Sequence, residues 1–338
     1  MILETVSRPH FHNLTSWAAH RPEVLVLSAD LTSSCEADGF RHAYPGRFFS
    51  LGMAEQNMMS FAAGLAREGF VPYVHTFSVF VTRRPFDQVA MSIAYPNLPV
   101  KLLGFVPGIT TPGGVTHQAI DDVALMRAMP NMTVLECGDA TEVEGALDAA
   151  HAIPGPVYLR MLRGAVPRLF PAGEPFVLGE PRVLSQGEEV LLLTSGICTA
   201  ESLRATPALA RRGVSLAHLH LSTIHPLNAR ALAEPLARAS KGVITVENHL
   251  TSGGLGSAVA EIMAEGALGV PLVRLGLRDT YAHGASCAYL LREYGLDALA
   301  VARAVERLAG LDPELREQDL IPPPDAPGQA PVYKAEDL

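Results

Sequence analysis

The sequence predicts an α/β protein of two successive three-layer α/β/α domains with mostly parallel sheets. Three observations predict it. Short apolar runs alternate with segments of helical period. The runs are continuous rather than alternately apolar and polar, as in strands covered on both faces. A Pro/Gly-rich stretch without a clean period, residues 166–182, separates two such series. The expected organisation is a first domain at 1–165, a linker at 166–182, a second domain at 183–312 and a flexible tail at 313–338.

In the first series, "EVLVLSAD", "VKLLGFV", "MTVLECG" and "PVYLRM" read as buried strands. Helical patterns lie between them at Met53 to Arg67, Pro85 to Ala94 and Thr141 to His151. Thr141 and Glu144 have capping-box spacing and help place the last of these. In the second series, "EVLLLTSG", "VSLAHLHL", "GVITVEN" and "PLVRLGL" read as strands. "TAESLRATPALARRG", "ARALAEPLARAS" and "GLGSAVAEIMAEG" supply helices. The closing "IPPPDAPGQAPVYKAEDL" has too little apolar surface for an ordered core.

Composition bounds the function. The chain has 338 residues, 48% hydrophobic and only 18% charged, with a net charge of −9. So low a charged share fits a chain that buries much of itself, or some of itself against a partner. Phosphate-backbone binding needs concentrated positive charge, and 26 Lys and Arg face 35 acids, so nucleic acid is not the expected partner. The four cysteines form no CxxC pair, which disfavours a disulfide scaffold or structural zinc and fits a reduced compartment. The start "MILETVSRPHFHNL" lacks a signal-peptide pattern, and no run reaches membrane-spanning length. A cytoplasmic protein without a membrane partner is expected.

Chemistry concentrates in a few stretches. In "SLGMAEQNMMSFAAGLAREG", Glu55 falls on the same helix face as Met58, Met59 and Ala62. A carboxylate there either sits at the helix rim, favoured by the N-terminal dipole, or is buried and hydrogen-bonded to a basic nitrogen. Phe77 and Phe80, three apart in "HTFSVFVTRRPFDQ", are core residues or a wall for a flat heteroaromatic ligand. The loop "GITTPGGVTHQAIDD" has Gly113 and Gly114 and then His117, a base, a donor or a structural histidine near the next helix. Arg160 and Arg163 close the strand "VYLRM", where ligands of parallel sheets bind, so either can take an anion or form an ion pair. "VENHLTSGGLGSAV" is no dinucleotide fingerprint, since Val259 stands where the third glycine belongs. No metal-ligating pattern is apparent.

Together, "RFFSLGMAEQNMMSFAAGLAREGFVPYVHTFSVFVTRRPFDQV", "GGVTHQ" and "VENHLTSGGLGSAV" resemble the C-terminal part of transketolases, over about residues 20 to 310. The resemblance implies a pyrimidine-binding domain for thiamine diphosphate, followed by the transketolase C-terminal domain. Glu55 then matches the glutamate that hydrogen-bonds ring nitrogen N1′ and promotes the imino tautomer that deprotonates thiazolium C2. Phe77 and Phe80 match the aromatic wall around the pyrimidine. Arg83 falls where many members carry a third aromatic. His117 matches a histidine near the thiazolium and substrate oxygens, and Arg160 lies close to the substrate-phosphate arginine. Gly113 replaces an aspartate and Phe105 a histidine of the usual sugar-phosphate enzymes, so a different ketose or aldehyde is implied.

The chain has no GDG motif of the kind that holds the diphosphate through Mg²⁺. The resemblance therefore implies the second subunit of a split enzyme, in an α2β2 heterotetramer. An N-terminal subunit would supply the diphosphate and Mg²⁺ site. The expected activity is two-carbon ketol transfer from a ketose donor to an aldehyde acceptor, absent without that partner. The beta part of a 2-oxo-acid dehydrogenase E1, or a deoxyxylulose-phosphate-synthase-like enzyme, shares the domain order and the glutamate. A non-catalytic paralogue that kept the fold is the alternative of another class. Glu247, His249 and the Gly253–Gly254 turn are expected to be structural or interfacial.

Overall fold

The computed structural model describes residues 4–322. The strands are β1 (Glu4–Ser7), β2 (Val24–Ser28), β3 (Phe48–Ser50), β4 (Val71–Phe77), β5 (Lys101–Phe105), β6 (Thr133–Glu136), β7 (Val157–Met161), β8 (Ala165–Arg168), β9 (Arg182–Ser185), β10 (Val190–Thr194), β11 (Leu216–His220), β12 (Thr223–His225), β13 (Gly242–Leu250) and β14 (Leu272–Leu277). The helices are α1 (Pro9–Trp17), α2 (Asp38–Ala43), α3 (Glu55–Arg67), α4 (Ser78–Thr82), α5 (Phe86–Gln88), α6 (Asp122–Arg127), α7 (Ala140–Ala152), α8 (Cys198–Arg211), α9 (Ala229–Arg238), α10 (Leu255–Glu265), α11 (Cys287–Glu293) and α12 (Ala298–Leu308). Among the described residues no helix is long and apolar enough to cross a membrane.

The first domain has a seven-stranded sheet in the order β12-β6-β7-β5-β4-β2-β3, parallel except at β12. The second has five strands in the order β14-β13-β10-β11-β9, parallel except at β9. The unbroken apolar runs fill the middles of both sheets, where β2, β5, β7 and β10 are buried along their whole length. Separate apolar clusters cover the two faces of each sheet, as parallel strands require.

The sequence expectation differs from the structure in several places. The central strand β4 went unrecognised because Pro72, His75 and Thr76 interrupt its apolar pattern. The polar His75 and Thr76 are buried nonetheless, and His75 is satisfied through the Tyr73 carbonyl at 3.0 Å and His10 Nε2 at 3.0 Å. The stretch expected to be a linker begins with β8, which pairs antiparallel with β1. The helix expected from Pro85 to Ala94 is a short α-turn followed by a wider π-turn at Val89–Ala94. The expected tail is ordered as far as the described residues go. Leu315 and Leu320 are buried, Glu314 pairs with Arg212 and Glu317 with Arg204, and the Ile321 amide donates to the Arg204 carbonyl. Residues 323–338 lie outside the described residues.

The two domains are locked by buried polar groups. Arg160, on β7, is 1% exposed. Its Nε donates to Asp122 at 2.9 Å, Nη1 to Glu136, and Nη2 to the Asn248 carbonyl of the second domain at 2.9 Å. Burial opposes its charge, but the Asp122 and Glu136 carboxylates outweigh that and hold its pKa above the ordinary value. Asn248 in turn accepts from the Ile109 amide at 2.9 Å and donates to the Pro107 carbonyl at 3.0 Å. Gly108 between them has φ +58°, and a Cβ there would lie 2.2 Å from Asn248 Oδ1, so only glycine fits. A second lock joins Glu142 on α7 to Ser222 at 2.5 Å and His220 at 3.0 Å. The strand β12 completes the junction, since it leaves the second domain to edge the first sheet.

Two predictions follow from these buried groups. Replacing Arg160 by Met leaves two interior carboxylates without their cation and should cost about 3–5 kcal/mol in urea unfolding. The same change at exposed Arg238 should cost far less. A loss at Arg160 no larger than at Arg238 would contradict the lock. The second prediction concerns His218, whose pKa burial, helped by neighbouring His220, lowers to about 3. The unfolded chain takes up this proton below about pH 6.5 while the native one does not, so the contribution is full above that pH and lost as pH falls. Between pH 6 and 4, His218→Asn should flatten the fall in unfolding free energy by about 1.4 kcal/mol per pH unit.

Candidate active site

The first sheet reverses its strand order between β2 and β4, and the crevice beyond the carboxyl ends of the strands at such a reversal is the usual ligand position. Glu55 opens α3 just after β3, and Phe77 ends β4. The inward face of α3 carries Met58, Met59, Ala62, Ala63 and Ala66, all buried. Glu55 continues that line and is only 3% exposed. Of the two placements open for Glu55, the structure shows the buried one. Its Oε1 accepts from Arg84 Nη1 at 2.8 Å, and Oε2 makes no hydrogen bond among the described residues.

The aromatic wall stands beside this carboxylate's partner. The rings of Phe77 and Phe80 stack with centroids 5.9 Å apart and planes at 23°. His117 meets both edge-on, at 6.2 Å from Phe77 and 5.4 Å from Phe80. The Arg84 guanidinium lies 3.9 Å over the Phe80 ring, and that of Arg163 lies 5.5 Å over Phe77. Thus Glu55, Phe77, Phe80 and His117 are linked through Arg84 and the two rings.

The two other arginines singled out in the sequence behave differently. Arg83, expected to cover the aromatic wall, turns to Asp121, with its Nε at 2.9 and 3.1 Å and Nη2 at 2.8 Å from the carboxylate. The cations over the wall are Arg84 and Arg163. Arg160, expected near the substrate anion, is sealed in the domain junction with each of its three nitrogens hydrogen-bonded. The arginine beside the site is Arg163, three residues on, past the end of β7. It also donates to the Ser34 carbonyl at 2.8 Å. Arg84 was missed, although its spacing of four from Phe80 is the spacing that brings side chains together on a helical turn.

Gly113 and Phe105 have distinct physical consequences. A Cβ at Gly113 would lie 3.0 Å from His117 Cβ and 3.1 Å from its Cγ, so the glycine makes room for the imidazole. Phe105 is fully buried between His10, at 5.4 Å, and His75, at 6.0 Å. Burial lowers the pKa of both histidines, that of His75 to about 4. Position 105 therefore belongs to the core. Glu247 accepts from the Leu255 and Gly256 amides at 2.7 and 2.9 Å and holds the start of α10; burial raises its pKa to about 7. His249 packs in the junction and accepts from the Ala124 amide at 3.3 Å.

Arg163 also lines a cleft of about 500 Å³ between the domains, with Val106, Thr110, Met161, Ile197 and Cys287. Among the described residues, no three His, Cys, Asp or Glu side chains are grouped to hold a metal ion. The arrangement fits the pyrimidine end of thiamine diphosphate. It offers a carboxylate with an uncommitted oxygen in an otherwise apolar setting, beside stacked rings and a half-buried imidazole.

The model of the transketolase pyrimidine-binding domain matches residues 12–168, and that of the transketolase C-terminal domain matches 179–301. A 6-deoxy-6-sulfo-D-fructose transketolase subunit from Clostridium sp. is 38% identical over 87% of this chain and 91% of its own length. A putative transketolase C-terminal section from Methanocaldococcus jannaschii is 36% identical over 83% of this chain and 89% of its own. A solved split-gene transketolase, described as an inactive beta4 tetramer, is 38% identical with a TM-score of 0.80, covering 90% of this chain and 97% of that one. The chain belongs to the transketolase family and comprises its pyrimidine-binding and C-terminal domains.

Proposed function

We propose that this chain is the pyrimidine-holding subunit of a thiamine-diphosphate-dependent split transketolase. It would act with an N-terminal subunit that carries the diphosphate and Mg²⁺, in an α2β2 assembly. The buried Glu55 carboxylate, with one oxygen on Arg84 and the other uncommitted, carries this reading. The relatives named as a transketolase subunit and as a C-terminal section support it. The low charged fraction is compatible with large buried interfaces. Met53 is 80% and Tyr95 78% exposed, with Phe61 and Met91 also open to solvent, and exposed apolar side chains of this size suit a protein partner.

The cofactor, when bound, supplies the nucleophilic carbon and electron sink for ketol transfer. This chain's residues have the remaining tasks. Glu55 Oε2 holds a proton against a ring nitrogen, in a setting where exclusion of water strengthens that bond. Arg84 fixes the carboxylate by donating to its Oε1 and lies over Phe80. Phe77 and Phe80 fix the plane of a heteroaromatic ring. His117 exchanges a hydrogen bond or proton with a substrate oxygen. Arg163, rather than Arg160, binds a substrate anion. The substrates are a ketose donor and an aldehyde acceptor, and the sulfonated sugar named for the Clostridium relative belongs in the test panel beside sugar phosphates.

The test is ketol transfer by the chain with and without its N-terminal subunit, with thiamine diphosphate and Mg²⁺ supplied. Activity only in the mixture is expected. A stable complex silent across the whole panel would contradict the reading. In the active mixture, Glu55→Ala should lower kcat by about 10²–10⁴-fold, the usual weight of a positioned acid–base group, with assembly retained. Gly113→Ala should push His117 from the ring pair and lower kcat about 10- to 100-fold, without a comparable loss of stability. Unchanged turnover in Gly113→Ala would separate His117 from the chemistry.

A further inference from the structure

We propose that the outer edge of the second domain carries an anion site for a phosphorylated small molecule, on a groove independent of the candidate active site. β14 is the edge strand of the second sheet. Beside it, the end of β14, the turn after α11 and the outer face of α12 enclose a groove of about 530 Å³, a size suited to a small ligand. Arg278 stands at the end of β14, and Arg303 and Arg307 stand one turn apart on α12, all lining the groove and all exposed. Glu293 is the one acid among the lining residues, so the groove is net positive in a chain of net charge −9.

These arginines differ from most others in the protein. Arg21, Arg83, Arg84, Arg127, Arg168 and Arg212 each meet a carboxylate. Arg303 and Arg307 form no hydrogen bond or ion pair among the described residues, and Arg278 has only a contact of 3.5 Å to the Arg274 carbonyl. Like charges at i and i+4 on a helix are mutually destabilising. The helix dipole compensates Arg307, which is in the last turn of α12, but not Arg278 on the facing wall. Small residues, Gly276, Gly295, Ala300 and Ala304, are among those lining the groove that the guanidiniums border. Tyr294 adds an aromatic surface to the same groove. Guanidiniums converging from two walls match a phosphoryl group, whose several oxygens accept bonds from more than one direction, better than a single carboxylate.

The test is calorimetric titration of the full chain with inorganic pyrophosphate and, separately, inorganic phosphate, at fixed ionic strength. Saturable binding of one anion per chain is expected, weakened at least tenfold in the Arg303→Gln/Arg307→Gln variant. A variant with the same charge change elsewhere, Arg41→Gln/Arg230→Gln, should bind as the parent does. Arg163→Gln should also bind as the parent does, which separates this groove from the anion role proposed for Arg163 and keeps the test independent of the proposed function. Thermal unfolding of the Arg303/Arg307 variant checks that the fold persists. Absence of saturable binding by the parent chain, or equal weakening in the two arginine variants, would overturn the proposal.

Discussion

The Arg160 guanidinium lies between the carboxylates of Asp122 and Glu136 and reaches across to the Asn248 carbonyl of the second domain. A cation so deeply buried is tolerable only because both carboxylates and a carbonyl surround it, and the carboxylates in turn require the cation. Tyr158 donates to the same Asp122 at 2.5 Å. The geometry of the domain junction depends on this cluster. Asn248 pins the chain at Pro107 and Ile109, just ahead of the loop that leads to His117, and Asp122 opens α6 just beyond it. The segment carrying Gly113 and His117 is thus held at both ends by the same buried network.

Near the protein surface the electrostatics are looser. Glu55 is buried, but its partner Arg84 is 48% exposed and lies over the Phe80 ring. Such a half-exposed pair can rearrange at less cost than the Arg160 cluster, because water already solvates one member. This contrast separates a part that holds the domains from a part that can exchange partners when a ligand or subunit arrives.

Much of the fold was legible because parallel strands covered on both faces are written as apolar runs, and β2, β5, β7, β10 and β13 follow that rule. β4 was not legible, since polar His75 and Thr76 break its apolar pattern, and only the tertiary contact with His10 shows how His75 is accommodated. Nor was β12, three residues from the second half that edge the first sheet. At the site, the resemblance singled out Glu55, Phe77, Phe80 and His117, and the structure connects them through Arg84. The arginines were harder, because a sequence gives a guanidinium's position but not its acceptor. Adjacent Arg83 and Arg84 go to Asp121 and Glu55. Arg160 shares its strand face with Tyr158, two residues before, and both bond Asp122. That period of two is the one signal in the sequence that could have assigned Arg160 to the interior and left Arg163 for the cleft.

The most direct test of the account is the exchange of the thiazolium C2 hydrogen for deuterium in thiamine diphosphate, followed by quenched-flow NMR in the complex with the N-terminal subunit. It needs no knowledge of the sugar substrates and reads the proton transfer assigned to Glu55. Fast exchange in the parent complex, slowed by about 10²-fold or more in Glu55→Gln with cofactor still bound, is the predicted result. Equal exchange rates in the two complexes would contradict the central claim that this buried carboxylate activates the cofactor.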